Sequence, residues 1–220
     1  MDGTVGYLFA ALVGFALSAA CGMRIFAPLA VLSVAAHFGW INTGQSFAWL
    51  GTTPAMVCLV VACTIEIVGM LVPFVDHALD VAGAPIAAVA GTLVMASQLA
   101  GAAGVDTSVV PPWAMWGLAA VVGGGVATGV HLAAGTVRAG STATTGGLLN
   151  PVFSLIETAG SLIVAVLAII VPVLAVVVAL VLVAGLVVAL WLAMKLLKRA
   201  KRLATGKKNG SEIGTAAASR

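Results

Sequence analysis

Apolar residues run along this chain in blocks too long and too unbroken for the helices of a soluble protein, and short polar stretches separate them. Positions 5–40 carry a single Lys, Arg, Asp or Glu, Arg24, in the interruption Gly22-Met23-Arg24, and Pro28 follows. A bilayer-crossing helix needs about 20 apolar residues. The pattern therefore predicts a span over 5–22 and a second, shorter or re-entrant helix over 25–39. The polar stretch 42–46 surfaces, and a third span runs over 54–73. Asp76, His77 and Asp80 separate it from a fourth over 83–104. A loop with Asp106, Pro111 and Pro112 leads into a fifth over 113–134, with Trp113 and Trp116 where interfacial aromatics belong. Positions 151–194 hold no charge before the tail except Glu157. As one helix they would reach roughly 66 Å, about twice a bilayer core, so Pro172 is expected to break them into two spans.

Seven spans agree with the charge distribution. Seven of the ten basic residues lie between positions 195 and 208. With that cluster on the cytoplasmic side, seven crossings also put Arg24 and Arg138 inside, whereas six put both outside. The expected organisation is an all-α polytopic bundle of six to seven spans over 1–197, followed by a basic, disordered cytoplasmic tail over 198–220. Composition agrees: 62% of residues are hydrophobic, 8% are charged, and mean hydropathy is +1.19. These values exclude a soluble globular domain and a disordered chain, and the long uniform blocks argue against an outer-membrane barrel. The basic tail reads as a membrane-side anchor rather than a nucleic-acid surface.

Ionisable side chains within the spans carry the candidate chemistry, because each costs about 2.5–3.5 kcal/mol at mid-helix on insertion scales. They are Arg24, Glu66, His131, Arg138 and Glu157. Glu66 lies mid-span between Cys63 and Gly69, and pairing with Arg24 would neutralise both. The residues leave two readings open: an ion pair locking two helices, or a proton or cation site.

Two polar stripes extend the set. Thr128, His131, Gly135 and Arg138 share one helical face, and Ser154, Glu157, Thr158 and Ser161 share another. If the faces meet, Arg138 or His131 reaches Glu157. Between them lies STATTGGLLNP (141–151), which is either a plain polar loop or non-helical backbone lining a cavity at membrane depth. On the second reading a ligand or ion would be held by Thr144, Thr145, Asn150, Glu157, His131 and Arg138.

Small residues recur every four positions at Gly14, Ser18 and Gly22 and again at Gly83, Ala87 and Gly91, with a further patch at Gly123, Gly124, Gly125 and Gly129. Such ridges let membrane helices approach closely. The remaining chemistry is sparse. Cys21, Cys58 and Cys63 form no C-x-x-C pair, and Asp76, His77 and Asp80 suit a capped helix start better than a metal site. Phosphate-loop, nucleophile-elbow and H-E-x-x-H signatures are missing. No enzyme activity, cofactor or metal is expected.

Gly22-Met-Arg24-Ile-Phe-Ala-Pro28, Pro73-Phe-Val-Asp76-His-Ala-Leu-Asp80, Gly123-Gly-Gly, His131, Arg138 and the STATTGGLLNP run followed by Ser154 and Glu157 resemble the bacterial membrane family catalogued as domain of unknown function 4126. The likeness covers about 10–170. It implies a multi-pass fold in a bacterial inner membrane but no reaction. A looser similarity is to the small accessory subunits of mammalian-cell-entry (Mce) type lipid importers. The expected function is a non-enzymatic accessory or scaffold subunit of an inner-membrane transport complex, of the Mce type for lipid uptake. Its partners would be the bilayer and other integral membrane subunits, or further copies of itself, with no nucleic acid. The alternative is a stand-alone transporter or channel with its site between the fifth and sixth spans.

Overall fold

The computed structural model describes residues 3–69, 73–102, 111–146 and 148–185, together with 187, 188, 191, 192 and 195. The tail over 198–220, the Asp106 loop, and the side chains of Asp76, His77, Asp80 and Thr144 lie outside the described residues. The described residues form helices and turns without strands: α1 (Gly3–Met23), α2 (Phe26–His37), a 3-10 helix (Gln45–Gly51), α3 (Thr53–Gly69), α4 (Pro73–Ala100), α5 (Pro112–Leu118), a π-helical turn (Ala119–Gly124), α6 (Gly125–Thr145), α7 (Asn150–Ile170) and α8 (Pro172–Gly185). This is an all-α helical bundle.

Each of the seven apolar segments becomes a helix, but they differ in reach. Val5–Met23, Ala82–Ala100, Pro112–Thr142 and Asn150–Ile170 are long and apolar enough to cross a membrane. The 3-10 helix and α3, inclined at 62°, make a fifth span if taken as one broken crossing. α2 has 12 residues and so reaches only about 18 Å, well short of a bilayer core of about 30 Å. That fits the short or re-entrant helix expected over 25–39. Pro172 ends α7 and starts α8, as its missing N–H and ring geometry require.

α1 is the central helix and packs against α4, α6 and α7. Its Gly14–Ser18–Gly22 ridge makes this possible. Gly14 faces Met95, the Ser18 hydroxyl donates to the Gly91 carbonyl at 3.1 Å, and Gly22 faces Ala127 and Val130. On the neighbouring pair, a Cβ at Gly91 or at Gly123 would collide with the carbonyl oxygen of the other, so the two backbones touch directly. The π turn falls there. It widens the continuous α5–α6 helix by one residue and sets Gly123 and Gly124 against α4. These registers make α1 antiparallel to α4 and α7, and α4 antiparallel to α6. The α1–α2 break, the end of α3 and the α6–α7 turn consequently share one end of the bundle. Exposed Phe38, Trp40, Trp49 and Trp113 belong to the segments that meet at the other end.

Candidate functional site

The shared end holds the buried charges. α1 stops at Met23 and α2 starts at Phe26, leaving Arg24 and Ile25 as the break. The Arg24 guanidinium is 2% exposed and reaches across to α7. Its Nε donates to Thr158 Oγ1 at 2.8 Å, its Nη2 donates to the Ser154 carbonyl at 2.7 Å, and Nη2 lies 3.5 Å from Glu157 Oε2. The same carboxylate oxygen accepts from Arg138 Nη1 on α6 at 2.8 Å. Glu157 is thus clamped between two arginines, one from the α1–α2 break and one from α6, in an interior where an unpaired charge is the expensive state.

Glu66 approaches the break from α3. Its Oε1 accepts from Ile25 N–H at 2.8 Å and its Oε2 from Phe26 N–H at 2.9 Å. These donors open α2, whose own N-cap position, Ile25, provides no side-chain acceptor. A carboxylate from another helix therefore acts as the cap, at the helix end whose dipole favours negative charge. Arg24 and Glu66, expected from the sequence to pair, both lie buried at this break, where Arg24 reaches to α7 and Glu66 accepts from the main-chain N–H groups of Ile25 and Phe26. The N–H groups that Glu66 accepts belong to the two residues directly after Arg24, so the break can engage α7 and α3 at once.

The two polar stripes are partly joined. Arg138 meets Glu157, while Ser161 turns to α1 and donates to the Ala20 carbonyl at 3.0 Å. His131, also buried, lies against Gly83 of α4, where a Cβ on the glycine would collide with its ring. The STATT portion of the polar run proves helical: α6 continues to Thr145, and only the turn led by Gly146 (φ 65°, ψ 18°) separates it from α7. The reason is local. Thr142 donates to the Arg138 carbonyl at 3.0 Å and Thr145 to the Ser141 carbonyl at 2.8 Å, so these hydroxyls are satisfied within their own helix. Asn150 Nδ2 donates to Thr142 Oγ1 at 2.9 Å and ties the turn shut.

Of the expected site residues, the structure thus gathers Arg138 and Glu157 with Arg24, and Asn150 with Thr142. Thr145 engages its own helix, and His131 packs on α4. Sequence reasoning missed the helix cap. The available signal was the absence of Ser, Thr, Asp or Asn before α2 beside a lone Glu in a nearby span.

No group of three or more His, Cys, Asp or Glu able to hold a metal occurs among the described residues. Apolar grooves open on the surface of the bundle among the described residues. One of about 660 Å³ lies between α4 and the α5–α6 helix, flanked by Thr92, Trp116 and Thr128. Another of about 360 Å³ lies between α2, α3 and α7, and a third of about 410 Å³ lies between α1, α4 and α5. None of their lining residues is charged.

The profile of the family described as domain of unknown function (DUF4126) matches residues 11–194. The chain belongs to this family. Every residue of the charge cluster falls inside the matched region. Neither a curated protein nor a solved structure matches the chain. It is a helical membrane protein of the DUF4126 family.

Proposed function

We propose that this protein is a non-enzymatic accessory or scaffold subunit of a bacterial inner-membrane transport complex, of the kind that moves lipid, with its C-terminus on the cytoplasmic side. One observation carries the reading. The carboxylates buried in the described helices are engaged inside the chain, Glu157 by Arg24 and Arg138 and Glu66 by main-chain N–H groups. Such charges lock helices to one another rather than await a substrate. The outward surface offers apolar grooves and exposed aliphatic faces such as Leu155, Ile156 and Ile163 on α7, which suit neighbouring membrane subunits and acyl chains. The test is purification from native membranes in mild detergent through a tag placed after Arg220, with mass spectrometry of stoichiometric companions. Permease or ATPase subunits are the expected companions. Recovery of the protein alone would overturn the scaffold reading.

A second reading, a stand-alone carrier, draws on the α1–α2 break, because interrupted helices with charges at the gap are where transporters hold ions. Transport by the purified protein in vesicles, abolished by Glu157→Gln with folding retained, would favour it over the scaffold.

A further inference from the structure

Among the described residues of α3, only Cys63 and Glu66 are buried, while Val57, Val61, Ile65 and Val68 are all more than half or nearly half exposed. α3 packs chiefly on α2 and on the 3-10 helix, with no comparable contact to the central α1. Its polar attachment to the bundle is the pair of hydrogen bonds from Ile25 and Phe26 to the Glu66 carboxylate. About one helical turn along from that attachment begins the groove of about 360 Å³, walled by Cys63 and Thr64 of α3, Ala30 and Val34 of α2, and Ile169 of α7. A helix whose polar attachment runs through one carboxylate, near the wall of an apolar groove, can act as a moving side of that groove.

We propose that Glu66 is a charge-dependent latch: its ionised carboxylate pins α3 to the first turn of α2, and neutralising it lets α3 swing out and open the groove between α2, α3 and α7. The chemistry follows from the donors. An ionised carboxylate accepts both N–H groups, and it does so at a helix N-terminus, where charge-assisted bonds are strongest. A neutral carboxyl or amide presents a donor on one side, and that donor faces an N–H. The ionisable groups around Glu66 are Arg24 at the break, Cys21 on α1 and Cys63 on α3, with Glu157 of α7 linked through Arg24. α2 and the 3-10 helix bring none to this point: His37, the one ionisable side chain in either, lies at the far end of α2 and bonds to the Gly51 carbonyl at 2.9 Å. The device is independent of whether the protein works alone or in an assembly.

The chain's own cysteines read the latch. Cys58 on α3 is exposed, Cys63 on the same helix is buried, and Cys21 on α1 is buried. N-ethylmaleimide labelling of the full-length protein in membranes, followed by mass spectrometry, gives the Cys63-to-Cys58 rate ratio, with Cys58 as the internal reference. Glu66→Gln is expected to raise this ratio about tenfold, the change that loss of a charge-assisted hydrogen bond brings. Glu66→Asp, which keeps the charge, should stay near wild type, and Cys21 should remain protected in both. A ratio unchanged in Glu66→Gln overturns the proposal. So does an equal rise in Glu66→Asp, which would make size rather than charge the cause, or a parallel rise at Cys21, which would mean that the whole bundle loosens. If Glu66→Gln does not accumulate, the wild-type ratio between pH 8 and pH 5 decides: a rise on acidification supports the latch, and a flat ratio overturns it.

Discussion

Arg138 Nη1 on α6 and Glu157 Oε2 on α7 stand 2.8 Å apart, both side chains almost wholly buried. The two helices touch little elsewhere, because α1 lies against each of them. The pair therefore closes the bundle at the end where α1 stops, and Arg24, leaving α1 at that point, reaches the same carboxylate at 3.5 Å.

Removing the carboxylate should be costly. Glu157→Gln leaves two buried guanidinium groups facing a neutral amide, and loss of one partner of a buried pair destabilises by about 3–5 kcal/mol. The apparent melting temperature in mild detergent should drop sharply. Arg138→Met should also destabilise, and the double variant Arg138→Met/Glu157→Gln should lose less than the sum of the two, with a coupling of about 0.5–3 kcal/mol. Strict additivity would show that the two side chains do not act as a pair.

Two hydroxyls on α7 should rank differently. Thr158 accepts from the Arg24 Nε, so Thr158→Val strands a buried charged donor, at about 1.5–3 kcal/mol. Ser161 donates to Ala20 O, a carbonyl that also accepts from Arg24 N–H at 2.9 Å and so keeps its helical bond. Ser161→Ala should cost about 0.6 kcal/mol, the usual size of an interhelical bond in membranes. Equal losses in thermal unfolding would contradict this assignment of roles.

The glycines divide by what surrounds them. A Cβ at Gly22 would stand 2.5 Å from the Ala127 carbonyl oxygen, so Gly22→Ala must push α1 from α6, at about 1–3 kcal/mol. A Cβ at Gly129 meets nothing within 4 Å, and alanine there gains up to about 1 kcal/mol of helix propensity. Gly129→Ala should match or exceed wild type in thermal stability. A loss there would mean that the open face is occupied in the assembled protein.

Gly146 closes α6 in the left-handed region, at φ 65°. Gly146→Ala should destabilise by about 1–2 kcal/mol through the Cβ clash with the following carbonyl, and Gly146→Asn should cost less because asparagine visits this region more readily. Indistinguishable melting curves for the two variants would place the turn in another conformation.

Much of this architecture is legible in the amino-acid order, because the properties that specify it are local. Block length and hydropathy mark the helices, Pro172 marks a break, and Gly22 followed by Arg24 marks another. The four-residue spacing of Gly14, Ser18 and Gly22 identifies the face that other helices approach, whatever those helices are. The sequence also singles out the buried ionisable residues, since any charge in an apolar block is conspicuous.

Tertiary structure alone decided how those charges are satisfied. A lone carboxylate in a span is served equally well by a guanidinium, by main-chain N–H groups or by a proton, and nothing local selects among them. Glu66 caps α2 because α3 brings it to an uncapped helix start; Glu157 meets Arg138 because α6 and α7 converge where α1 ends. The π turn against α4 and the 62° bend before α3 likewise follow from packing between segments distant in sequence. Amino-acid order by itself determined which segments are apolar helices and which faces are narrow; the relative placement of helices determined which charge answers which, because that depends on register and reach across the bundle.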